Sequence, residues 1–180
     1  SILAELALQP LARRRVGSAD DKTLSGGERS RLNLGLDLGS AAEIFLFDEP
    51  ISGLSSKDSE HVTETLHSLS RDNIVVASMH RPGARVLRMF DKVLMLDQEG
   101  RIAFYGTPTA MHQYFHEACG DLNIMPPARL KNHNLRNADA DFVFDVLETP
   151  LHGRASRESG GVRRFPSTFW QERFEGSQLI

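Results

Sequence analysis

Cysteine is nearly absent: the 180 residues contain one, Cys119, which excludes an intrachain disulfide and suits a reducing compartment. Long hydrophobic runs are missing as well. No apolar stretch approaches the roughly 18 to 20 residues that cross a bilayer, and no signal-peptide pattern occurs. Basic charge is not in excess either. A net charge of −3, with only local patches at Arg13-Arg14-Arg15 and Arg163-Arg164, argues against nucleic acid as a partner. No G-x-x-x-x-G-K-[ST] phosphate loop is found anywhere in the chain. What is present, 40% hydrophobic and 25% charged residues, is the composition of a folded globular chain rather than a disordered one.

Hydrophobic periodicity gives a first map. Apolar residues at Ile2, Leu3, Leu6, Ala7 and Leu11 predict one helical face, followed by a basic, turn-prone stretch from Arg13 to Lys22. Ser25 with Glu28 three residues on is a capping box, and Leu32, Leu34, Leu36 and Leu38 predict a largely buried helix stopping at Gly39. Glu43 to Asp48 and Asn73 to Met79 are near-continuous apolar runs, the pattern of parallel strands covered on both faces, with a crossover helix from Lys57 to Ser70 between them.

Further on, Pro82 to Met89 reads as a helix. Lys92 to Leu96 and Arg101 to Tyr105 flank a Gln98-Glu99-Gly100 turn and predict a hairpin, and Thr107-Pro108 predicts a helix start. Met125 to Asn137 reads as connecting sequence and Asp139 to Leu147 as a helix. Pro150 to Pro166, rich in Gly, Ser and Arg, reads as a flexible linker before a short amphipathic segment with Phe169, Trp170 and Phe174.

Three features carry chemistry. Ser25-Gly26-Gly27 opens a helix, where two glycines permit close backbone approach, the free N–H groups and helix dipole attract an anion, and the serine adds a hydroxyl donor. Asp48 and Glu49 end an apolar strand, the edge of an open parallel sheet at which ligands bind. Asp48 there suits Mg2+ on nucleotide phosphates, and Glu49 suits orientation of an attacking water. His80 ends the next strand and can donate to a γ-phosphate from one ring nitrogen. A lone Ser-Gly-Gly, or a lone strand-end acid, is an ordinary structural feature; the ordered set of all three points to ATP.

Taken together, Leu24-Ser25-Gly26-Gly27-Glu28, the strand Ile44 to Phe47 with Asp48-Glu49-Pro50, the loop Ser52-Gly53-Leu54-Ser55 and His80 resemble the C-terminal part of an ABC-family nucleotide-binding domain. They stand where that family has its signature motif, Walker B strand, D-loop and switch histidine. Met79-His80-Arg81-Pro82, Phe90 to Leu96, Gly100 to Gly106 and Ala138 to Val146 look like the G subfamily, the white/pigment and sterol exporters; the match runs from Leu3 to about Leu147.

That resemblance implies an α/β, P-loop NTPase (RecA-like) parallel-sheet core. Residues 1–39 would end the helical subdomain, 40–120 form the C-terminal part of the ATP-binding core, 121–149 an extension, and 150–180 a linker toward a membrane domain. It implies ATP and Mg2+ as cofactors, Glu49 and His80 as catalytic, Ser25, Gly26, Gly27 and Glu28 as nucleotide-binding, Ser52, Gly53, Leu54 and Ser55 as the D-loop, and Asp48 as the Mg2+ ligand. Its partners would be a second nucleotide-binding domain, head to tail, and a transmembrane domain of the same or a partner chain, at the cytoplasmic face of a membrane. The family's phosphate loop and Q-loop are expected upstream of Ser1, so the chain alone is not expected to hydrolyse ATP.

Ser55 departs from the aspartate usual in the D-loop and raises the question of a slow or asymmetric site. Alternatives are a soluble, non-transporter ABC ATPase and a non-catalytic regulatory ABC domain. His112, His116 and Cys119 lie near one another on a helical pattern but lack a fourth zinc ligand, and Met79, Met89 and Met95 read as core filler. Phe165, Phe169, Trp170 and Phe174 either touch a membrane surface or pack on the domain.

Overall fold

The computed structural model describes residues 2–17, 23–37, 42–124, 140–151 and 162–177. The chain falls into two units, one ending at His80 and the other starting at Arg81.

The first unit opens with a short helix α1 (Ile2–Glu5) and a 3-10 turn at Gln9–Leu11, in place of the single helix predicted over 2–11. Ala7 turns left-handed (φ 53°) and the Leu8 N–H donates to the Leu3 carbonyl at 2.8 Å, a helix-ending closure, after which Pro10 has no N–H with which to resume the helix. Helix α2 (Gly26–Asp37) starts at the Ser-Gly-Gly turn. Its leucines are not buried together: Leu34 is in the core, Leu32 is half-buried and Leu36 is 73% exposed. Residues two apart sit about 200° apart around a helix, so alternate leucines cannot share one face. The predicted stop at Gly39 lies outside the described residues.

Strands β1 (Ile44–Phe47) and β2 (Ile74–Ala77) pair in parallel, Ile44 opposite Ile74 through Phe47 opposite Ala77, and α3 (Ser56–Leu69) is the crossover between them. Phe47, Val75 and Ala77 pack on a core of Leu6, Leu8, Leu34, Val62 and Leu66. Burial on both faces, read from the continuous apolar runs, is not what the fold delivers. Ile44, Leu46, Ile74 and Val76 are all exposed, Leu46 at 76%. An apolar run fits a strand with two greasy faces, and among the described residues a layer of side chains covers only one of them.

The second unit carries the predicted hairpin. β3 (Val93–Leu96) and β4 (Ile102–Gly106) are antiparallel with a bulge after Met95, and Glu99 (φ 60°) and Gly100 (φ 69°) make the turn. Before it, α4 (Ala84–Leu87) is one turn, shorter than the helix predicted over 82–89, because Pro82 and the N-cap Gly83 precede it. Helix α5 (Pro108–Asp121) starts as its sequence dictates, with the Ala110 N–H donating to Thr107 Oγ1 at 3.1 Å and Pro108 in the first turn. Helices α6 (Ala140–Leu147) and α7 (Ser167–Ser177) complete the unit. Its core joins Met95, Ala103 and Phe104 of the hairpin, Met111, Phe115 and Ala118 of α5, Phe142, Val143, Val146 and Leu147 of α6, and Trp170 of α7.

Trp170 is completely buried, its ring 5.5 Å from that of Phe115 and 5.9 Å from that of Phe165. The aromatic segment therefore packs within the unit. Its approach is pinned as well: Pro150 bridges Arg163, the Arg164 N–H donates to the Thr149 carbonyl at 2.7 Å, and Arg163 pairs at 2.5 Å with Asp97, whose side chain is 2% exposed. The stretch predicted as linker is thus ordered at both ends, with 152–161 outside the described residues, as is the connecting sequence 125–137. The described residues form a mixed α/β arrangement with a small parallel and a small antiparallel sheet. No described helix is long and apolar enough to cross a membrane.

Candidate nucleotide site

The Ser25–Glu28 turn is a reciprocal capping box. The Glu28 N–H donates to Ser25 Oγ at 3.2 Å and the Ser25 N–H donates to Glu28 Oε2 at 2.7 Å. Two consequences follow. Ser25 Oγ is used as an acceptor and keeps its proton for another partner, while the carboxylate of Glu28 is engaged inside the turn. The N–H groups of Gly26 and Gly27, the first two residues of α2, have no acceptor within the helix. Around Gly26 there is open space, since a Cβ there would meet nothing within 4 Å. Gly27 is buried, and a Cβ there would fall 2.6 Å from Asp58 Cγ.

Asp48 and Glu49 follow β1, and His80 lies three residues past β2, so the parallel register places all three at the same edge of the sheet. The ladder continues one step beyond the strands, with the Ser78 N–H donating to the Phe47 carbonyl at 2.9 Å. Ser78 then joins the two acids: its Oγ donates to Asp48 Oδ1 at 2.5 Å and accepts the Glu49 N–H at 2.9 Å. Glu49 is held with φ 45°, a conformation uncommon for a residue with a Cβ, and its carbonyl accepts the Ser52 N–H at 3.0 Å. Asp48, Glu49 and His80 are exposed. The loop Ser52–Ser55 runs over the surface with Gly53 at φ 69°, Leu54 dips toward the core, and Ser55 caps α3.

Several residues of this region escaped the sequence reading. Ser78 gave no signal beyond its place next to a strand end. Arg31 and Asp58 lie 27 positions apart and meet at 2.7 Å, and Ser55 Oγ donates to Asp58 Oδ2 at 2.8 Å while accepting the Asp58 N–H at 3.2 Å. The Arg31 guanidinium first, and the Ser55 hydroxyl second, hold the Asp58 carboxyl below the usual carboxylate range. A carboxyl with a depressed folded-state value contributes stability above its unfolded value of about 3.9, and this is lost as pH falls through the folded value. Urea unfolding of the first unit should therefore shift to lower midpoints below about pH 4, and Asp58→Asn should flatten that acid limb. An unchanged acid limb in Asp58→Asn would remove Asp58 from the account.

The fit to a divalent ion can be judged from the donors. Among the described residues no three His, Cys, Asp or Glu side chains come together as a metal site. Asp48, with one oxygen on Ser78 and the other open, suits a hard ion that takes its remaining ligands from phosphate and water. Of His112, His116 and Cys119, the first and last are buried in the second unit while His116 is exposed. The His112 ring lies 4.9 Å from that of Phe142 and 6.5 Å from that of His116, and burial pushes the Cys119 thiol up, away from the ligating thiolate.

No family model matches the chain. Among curated proteins, it is 44% identical over 108 residues to ABC transporter G family member 4 of Arabidopsis thaliana, a match covering 59% of this chain and 18% of that protein. It is 38% identical over 154 residues to ATP-binding cassette sub-family G member 8 of Homo sapiens, covering 85% and 21%. With ABC transporter G family member 26 of Arabidopsis thaliana the identity is 35% over 146 residues, covering 81% and 20%. The chain spans about a fifth of the length of the curated relatives it matches.

Proposed function

Since this chain belongs to the ABC transporter G family, we propose that it supplies the signature turn, acidic strand end and switch histidine of an ATP-hydrolysing domain that drives a membrane exporter. The observation that carries this reading is Ser78 holding Asp48 and Glu49 together at the sheet edge shared with His80. A merely structural acidic strand end has no need of a strained glutamate presented to solvent.

In this reading the parent protein has a P-loop NTPase core and works as a head-to-tail pair of such domains, joined to transmembrane domains at the cytoplasmic face. The Ser25 hydroxyl and the Gly26 and Gly27 N–H groups receive the γ-phosphate of a nucleotide bound to the partner domain, an anion at a helix N-terminus. Glu28 serves that turn as its cap. The Glu49 carboxylate polarises the attacking water, and His80 donates a hydrogen bond to the transferring phosphoryl group. Asp48 would hold Mg2+, which when bound neutralises charge on the phosphate oxygens. The loop Ser52–Ser55 faces the partner domain. Because the relatives are named as transporters, the membrane role is preferred over a soluble ATPase.

The test is ATP turnover and ATP-dependent export by the intact protein in sealed membranes, comparing wild type with Ser78→Ala and Ser78→Thr. Loss of Ser78 frees both acids, so kcat should fall by roughly 10- to 100-fold, with Thr restoring most of it. Wild-type kcat in Ser78→Ala, or ATPase without any export, would reject this function.

A further inference from the structure

Gly26 and Gly27, adjacent in sequence, face different things. Space at Gly26 is open, whereas a Cβ on Gly27 would come within 2.6, 2.8 and 2.9 Å of the three carboxyl atoms of Asp58. The first turn of α2 therefore rests directly on a carboxylate in the first turn of α3. The same carboxylate takes Arg31, one turn further along α2, at 2.7 Å. Only 9% of the Arg31 side chain is exposed, and its Nε has no partner among the described residues, so Asp58 is what neutralises this buried cation. On its other side Asp58 is bound to Ser55, the last residue of the exposed loop. One more tie runs in parallel, Ser30 Oγ donating to the Pro50 carbonyl at 3.0 Å.

We infer that Arg31, Asp58 and Ser55 form a latch that makes the Ser25–Gly27 turn and the Ser52–Ser55 loop a single rigid piece, with Asp58 as a positioning residue for the anion-binding turn. Two surfaces proposed to meet the partner domain thereby share one orientation. The latch also gives position 55 a purpose as serine: its hydroxyl both accepts from and donates to Asp58, which a carboxylate at 55 cannot do beside a second carboxylate. A Cβ on Gly27 would force the Asp58 carboxylate to shift against its bonds to Arg31 and Ser55.

This inference rests on the ATP reading for its kinetic test, but not for its structural one. In the intact protein, ATPase kcat and KM are measured for Gly27→Ala, Asp58→Ala and the double variant. Hydrogen exchange at the amides of residues 26–31 is followed in the same four proteins. Gly27→Ala collides with the carboxylate and should lower kcat/KM about tenfold or more; Asp58→Ala should lower it several-fold, chiefly through KM. The double variant should be no worse than Asp58→Ala alone, because the collision exists only while the carboxylate is there. Amides 26–31 should exchange faster in Asp58→Ala.

Additive losses in the double variant, or wild-type kinetics in Asp58→Ala, would overturn the latch. Should the wild-type protein show no Glu49-dependent turnover, it is the ATP reading that falls. The exchange data then decide the latch alone, and unchanged exchange in Asp58→Ala would overturn it.

Discussion

Glu49→Gln in the intact protein is expected to lower ATP turnover by roughly 10²- to 10⁴-fold, the range lost with a positioned general base. Gln is nearly isosteric, and the features that fix residue 49 are all main-chain: φ 45°, the N–H donated to Ser78 Oγ and the carbonyl accepting from Ser52. The substitution therefore leaves the turn in place and removes only the proton acceptor. Nucleotide should still bind, the closed pair of domains should persist with ATP unhydrolysed, and kcat should fall while ATP affinity holds or rises. Steady-state turnover together with retained ATP after gel filtration makes the check. Turnover at the wild-type rate would mean that this edge of the sheet is not hydrolytic, and the fold would then be a scaffold for nucleotide-dependent pairing alone.

The second large effect concerns stability. Trp170→Ala should destabilise the second unit by about 3–5 kcal/mol, the usual loss for a buried large aromatic. Trp170 is fully buried and its ring is surrounded by Phe115, Phe165 and Phe169. No other described side chain is positioned to refill that volume, since Phe165 and Phe169 already stack on each other at 4.8 Å. Against a total of about 5–15 kcal/mol for an ordinary domain, such a loss would leave the unit partly unfolded at 37 °C. Urea unfolding followed by near-ultraviolet dichroism of the remaining aromatics would show it. A shift below about 1 kcal/mol would show that α7 is an adornment of this unit rather than part of its core.

Local chemistry was legible in the sequence where it is short-range. The Ser25–Glu28 capping box, the Thr107-Pro108 helix start and the Gln98–Gly100 turn depend on residues a few positions apart, and each forms as its spacing dictates. The parallel pairing of β1 and β2 also follows from two apolar runs separated by one crossover helix. What could not be read is what depends on long-range partners. Ser78 gains its importance only when it comes to lie beside Asp48, 30 residues away, and Arg31 is an ordinary exposed helix residue in sequence until Asp58 covers it. In the tail, composition gave no sign of the long-range partners at its end. Gly, Ser and Arg between 150 and 166 resemble a linker, yet Arg163 finds the buried Asp97 and Trp170 finds the core.

The uncovered face of the β1–β2 pair has a practical side. Among the described residues Ile44, Leu46, Ile74 and Val76 stand exposed together on the β1–β2 pair, with no proline or lysine in either strand to discourage a neighbour. When these 180 residues stand alone, an apolar face of this kind favours association between copies. Leu46→Lys or Val76→Thr on that exposed face should lower such association, read as the monomer fraction on gel filtration.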